Sequence, residues 1–81
     1  MDEKAILDRI NEFIEEEHDL RRAHERAETT DAAAQDRLRR LEVALDQCWD
    51  LLRQRRARLA AGQNPDDAEV RPAGEVENYW Q

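Results

Sequence analysis

Along residues 3–28, seam positions recur in alternating steps of four and three residues: Ile6, Ile10, Phe13, Glu17, Leu20, His24 and Ala27. That spacing keeps one face of a helix toward a partner, with Leu7 and Ile14 on its shoulder. The seam is apolar in its first half and turns polar at Glu17 and His24. Asp2 suits the N-cap and Glu3 the first turn, where a carboxylate meets the positive end of the helix. The stretch "ETTDAAAQ" breaks the pattern. Thr30 or Asp31 can cap a second helix, and the alanines that follow favour its first turn. Over residues 31–61 a second seam runs through Leu38, Leu41, Leu45, Cys48, Leu52, Arg55 and Leu59. Gly62 then falls where a left-handed residue ends a helix, and Pro65 prevents continuation. Two long helices with a short connection predict an antiparallel hairpin.

The last twenty residues carry no such seam. "NPDD" predicts one capped helical turn near 65–70, with Asn64 as N-cap and Pro65 at the first helical position. Beyond it, Val76, Tyr79 and Trp80 share a face if the end is helical. A frayed end and an end docked on the hairpin are both compatible with that pattern. The expected organisation is therefore a hairpin over 1–61 and a tail over 62–81.

At about 100° per residue, the apolar side chains in the middle of the second helix spread over about 160°. Leu41, Leu45 and Leu52 form its ridge, Trp49 lies on one flank, and Cys48, Ala44 and Leu51 lie on the other. One neighbouring helix covers less than that. A second hairpin would cover the rest, so the pattern predicts an all-α protein whose hairpins dimerise into a four-helix bundle. The expected core and interface residues are Ile10, Phe13, Ile14, Leu41, Leu45, Cys48, Trp49, Leu51 and Leu52. With the turn near residue 30, facing positions sum to about 60. Glu17 then falls near Arg39 and Arg40, and Arg55 and Arg56 approach Glu3 and Lys4, pairs that set register more than stability.

Composition strengthens the case for association. Charged residues make up 41% of an 81-residue chain, so an isolated core would be small, and small domains need a staple or a partner. One cysteine forms no internal disulfide, and no Cys/His cluster marks a structural zinc. The net charge of −7 is uneven: −5 over 1–30, +2 over 31–61 and −4 over 62–81. A basic middle between acidic ends predicts segments folded against each other and argues against non-specific nucleic-acid binding. No apolar run reaches the ~20 residues of a membrane span, and the acidic start lacks the features of a signal peptide. The expected location is the cytoplasm.

Candidate chemistry is sparse. Cys48 beside Trp49 could mark a redox or ligand spot, but no His, Lys or second Cys lies nearby to activate the thiol, and a lone buried Cys packs as a small hydrophobe. Glu15 and His18 have the Glu-x-x-His spacing of di-iron bundles, which gives an alternative: a metal- or ligand-binding bundle using them with the second-helix carboxylates Glu42, Asp46 and Asp50. Glu15, however, points away from the Ile10/Phe13 seam. Arg53–Arg58, "RQRRAR", could meet phosphate, but bases in the last turns of a helix also complement its negative end. There is no serine, no glycine-rich phosphate loop and no nucleophile–base pair. The residues therefore predict no catalytic site and no cofactor, and favour a homodimeric interaction or regulatory module.

"LEVALDQCWDLLRQRRARLAAGQNPDDAEVRPAGEVENYWQ", residues 41–81, and "ILDRINEFIEEEHDLR" near the start resemble a family of very short actinobacterial helical proteins known only as a domain of unknown function. The "LDQCWDLLRQRRA" string is its most specific part, and the resemblance covers nearly the whole chain. It implies a small helical protein whose tail belongs to the domain, with Tyr79 and Trp80 docked. It carries over no functional residue.

Overall fold

Asp2 begins the first helix as its position predicts: its Oδ1 accepts from the backbone N–H of Ala5 at 2.8 Å, satisfying one of the donors a helix start leaves unpaired. The structure, a computed structural model, describes residues 1–25 and 32–74. Helix α1 spans Glu3–Glu25 and helix α2 spans Ala32–Ala60, followed by a 3₁₀ turn at Pro65–Asp67. The two helices pack together as an all-α antiparallel hairpin, and the 3₁₀ turn packs on α2. The expected caps at Thr30 or Asp31, and the placement of Tyr79 and Trp80, lie outside the described residues.

The end of α2 is closed by backbone bonds that require the glycine. Gly62 has φ +74°, its N–H donates to the Leu59 carbonyl at 3.1 Å, and Gln63 N–H donates to the Arg58 carbonyl at 2.7 Å. This is the Schellman arrangement, which turns the chain sharply back and favours a residue without Cβ. Asn64 Oδ1 then accepts from Asp66 N–H at 3.0 Å, starting the 3₁₀ turn with Pro65 at its first position.

Three ion pairs across the hairpin give its register. Arg56 Nε donates to Glu3 at 2.8 Å, Arg21 Nη2 to Glu42 at 3.0 Å, and Arg37 bonds Glu16. The Arg56–Glu3 and Arg21–Glu42 positions sum close to the expected 60, whereas the Arg37–Glu16 pair falls seven short of it. Two expected pairs differ. Glu17 bonds Arg21 one turn along its own helix at 3.1 Å, because that partner is already adjacent. Arg55 turns instead to the tail.

The apolar core lies toward the open end of the hairpin, where Ile6, Ile10, Leu51 and Leu52 cluster and Leu7, Leu45, Cys48 and Ala68 pack against them. Leu41 is buried further along α2. Toward the turn the seam is polar: Glu17 is ion-paired and His24 is exposed. Burial of apolar area dominates the stability of so small a chain, so the two ends of the hairpin should respond unequally to truncation. Leu52→Ala is expected to destabilise by about 2–5 kcal/mol, and half-buried Leu20→Ala by about 1 kcal/mol. Urea denaturation followed by circular dichroism measures both, and equal losses would contradict a core concentrated toward the open end.

Candidate functional site

The most unusual environment in the molecule is on α2 away from the hairpin seam. Asp50 is 1% exposed, although its position about 140° around the helix from Leu45 leaves it outside the face toward α1. The cover comes from the tail, which returns antiparallel to α2 after Gly62. Arg71 grips the carboxylate with two donors, Nε at 2.8 Å from Oδ2 and Nη2 on Oδ1. Gln54 Nε2 adds a bond at 2.9 Å, and Arg53 stands 3.8 Å away. The planar guanidinium matches a carboxylate in this forked geometry better than lysine could.

The same polar stripe of α2 holds the tail backbone. Gln54 Nε2 donates to the Glu69 carbonyl at 2.8 Å and Gln47 Nε2 to the Arg71 carbonyl at 3.2 Å. Arg55 Nη1 donates to the Pro65 carbonyl at 3.2 Å and to Asp66 at 2.9 Å. Gln47, Gln54 and Arg55 thus supply donors along one side of α2 to carbonyls of an irregular segment that has no ladder of its own. This stripe, with Arg71 as the only base after residue 61, is the signal in the sequence that the helical seams do not capture.

Of the residues expected at core or interface, Ile10, Leu41, Leu51 and Leu52 are buried, and Phe13, Leu45 and Cys48 are half-buried. Leu51, on the flank expected to meet a second hairpin, is already reduced to 8% exposure within one chain, in a cluster joined by Ala68 of the tail. Ile14 and Trp49 retain 46% and 41% exposure. By helical angle both lie on the flank opposite the tail, the one that also carries the Glu3–Arg56 and Arg21–Glu42 pairs. The two flanks of the hairpin are therefore unlike: one is strapped by the tail, the other is open and partly apolar.

Cys48 and much of the basic run are engaged internally. Burial pushes the Cys48 thiol above its ordinary pKa, with the Arg9 charge only partly opposing, so it stays protonated at neutral pH and packs as a hydrophobe. Within the basic run, Arg55 is tied to the tail, Arg56 to Glu3 and Arg58 to Gln63. Glu15 and His18 line a shallow depression with Asp19 and Arg22, while Glu42 is paired with Arg21 and Asp50 with Arg71. The Glu-x-x-His pair is not brought to the second-helix carboxylates, and among the described residues no three His, Cys, Asp or Glu side chains are placed to hold a metal. Nothing in this arrangement points to catalysis. No helix among the described residues is long and apolar enough to cross a membrane.

The Arg71 hydrogen bond holds the Asp50 carboxyl below its ordinary value against the opposing effect of burial, with Gln54 and the charges of Arg71 and Arg53 adding to the lowering. A depressed pKa means the pair stabilises the fold above the unfolded carboxyl value, about 3.9, and that this contribution is lost as pH falls through the folded value. Arg71→Ala is therefore expected to cost about 1–3 kcal/mol at pH 7, with the difference from wild type closing below about pH 4. Urea titrations across pH 2.5–7 measure it, and a pH-independent difference would refute the assignment.

Comparison with known proteins gives a consistent but functionally silent result. A family model described as "Protein of unknown function (DUF2630)" matches residues 2–81. Uncharacterized protein Rv0898c of Mycobacterium tuberculosis is 47% identical over 77 residues, covering 95% of this chain and 88% of that protein. Uncharacterized protein Mb0922c of Mycobacterium bovis matches to the same extent. No solved structure matches the chain. With the match running from Asp2 to Gln81, hairpin and tail alike, the chain belongs to the DUF2630 family of proteins of unknown function.

Proposed function

We propose that this protein is a non-enzymatic helical hairpin that pairs with a second copy and serves as an interaction or regulatory module. The observation that carries this reading is the open flank, where Ile14 and Trp49 stay 46% and 41% exposed beside half-buried Leu7 and Leu45. A flank two helices wide along α1 offers roughly 700 Å² at 1.5 Å rise per residue and a helix width near 10 Å. That is close to the ~800 Å² each partner contributes to a standard stable interface.

Ile14 lies at the middle of α1 (Glu3–Glu25). A two-fold axis through that level sets Ile14 against its copy and lays the Glu3–Arg56 end over the partner's Arg21–Glu42 end. Each end carries both signs of charge, so the faces are self-complementary, as an isologous dimer requires. The same packing yields a four-helix bundle. A lone protonated thiol and an acidic surface support a cytoplasmic setting.

Sedimentation equilibrium tests the reading. The wild type is expected to be a dimer at micromolar concentration, and Ile14→Glu with Trp49→Glu a monomer of unchanged helix content. Leu52→Glu should lose the helix signal instead. A fully helical wild-type monomer would overturn the proposal.

A further inference from the structure

The strap formed by residues 62–74 runs antiparallel to α2, with its Glu69 carbonyl on Gln54 and its Arg71 carbonyl on Gln47. Continued past Gly74, where the described residues stop, that course leads toward Ala44 and the middle of the helix. Beside it lies a groove lined by Phe13, Ala44, Gln47, Cys48, Leu51 and Val70. Its walls are mostly apolar, and Val70 stands 61% exposed at its edge. Its cavity of about 150 Å³ is the size at which an apolar cavity takes a single aromatic ring.

Residues 75–81, "EVENYWQ", bring matching groups within reach. Six residues beyond Gly74 span about 9 Å if helical and about 20 Å if extended, whereas Ala44 lies only about 5 Å along α2 from Gln47. Val76, Tyr79 and Trp80 have the spacing of one helical face. The segment holds Glu75 and Glu77 and no base. Arg9 lines the groove, and its charge acts on the Cys48 thiol there, so the charges of segment and groove are complementary. Gln47 uses its Nε2 on the Arg71 carbonyl, and its Oε1 can accept from an indole N–H, the one donor a buried Trp must satisfy. We infer that this groove is the docking site of the chain's own C-terminal segment, residues 75–81, with the Trp80 ring seated among Phe13, Ala44 and Cys48 and Tyr79 at the rim. The segment then extends the cover of the wide apolar arc of α2 from Leu51 to Ala44.

Fluorescence of full-length Trp49→Phe, in which Trp80 is the sole indole, tests the assignment. Its emission is expected to be blue-shifted from that of free tryptophan and shielded from acrylamide. Adding Ala44→Glu, which places a charge in the groove, should return both to the values of free tryptophan, with circular dichroism confirming helix content. Should Ala44→Glu not fold, Val70→Glu at the exposed edge serves the same purpose. With Trp49 kept, Trp80→Ala should raise the rate of Cys48 labelling by a thiol reagent at least about tenfold, as removal of a buried ring implies. A Trp80 that emits like free tryptophan in Trp49→Phe would overturn the docking. Shielding indifferent to the groove substitution, or labelling unchanged in Trp80→Ala, would overturn the groove as its site. Equal shielding across a dilution series, with mass followed by light scattering, supports docking within one chain; shielding that falls on dilution would assign the groove to a second copy's segment and overturn the proposal.

Discussion

A helix whose apolar arc is wider than one neighbour can cover needs a second cover, and this constraint shapes the rest of the molecule. Helix α1 takes the ridge of α2 at Leu52 and Leu45, but Leu51 lies about 100° further around. The tail reaches it by turning back at Gly62, whose left-handed conformation closes α2. An extended segment with few apolar side chains cannot hold itself down by burial, so it is held by donors from α2. Laying it there also encloses Asp50. A carboxylate stripped of water is costly unless it is paired and hydrogen-bonded, and Arg71 and Gln54 supply those bonds. The cover over Leu51 and the latch at Asp50 are thus two consequences of one geometric shortfall.

The periodic parts of this arrangement are legible from the residues alone, and the aperiodic parts are not. The helices, the Asp2 and Asn64 caps, the glycine stop and the Glu3–Arg56 register follow from spacing and from the side chains that can satisfy helix ends. The environment of Asp50 does not. A helical angle of about 140° from the ridge marks a solvated position only when the neighbours considered are helices. The tail has no repeat that announces where it lies, so its effect on burial is invisible to periodicity. Arg55 shows the same limit: it sits on the inner seam and was expected near Glu3, yet the 3₁₀ turn brings Asp66 nearer. For Ile14 and Trp49, helical angle does not say that the single chain leaves them 46% and 41% exposed.

Two features that suggest chemistry in the sequence, the arginine run and Cys48, are engaged within the chain. Within the arginine run, Arg55 pairs with Asp66 and Arg56 with Glu3, while Arg58 bonds Gln63, so the run does not converge on one point as a phosphate site would need. Cys48 keeps its proton because burial outweighs Arg9.

Stability is also unevenly placed along the hairpin. The open end is tied by the core, the strap and the Schellman turn, whereas toward the connection the seam runs through Glu17 and His24. Helix in that half has Leu41 buried and Leu20 and Leu38 half-buried, and its exposed ion pairs such as Arg21–Glu42 are each worth little alone. Ile14 marks the boundary between the two halves. Association centred there would bury apolar area next to the weaker half and stabilise its helices by mass action. Because an isolated helix turn is costly to nucleate but cheap to extend, that gain would propagate toward the turn. Pairing and helix order in the polar half would then rise together, while the strapped end stays folded in either state.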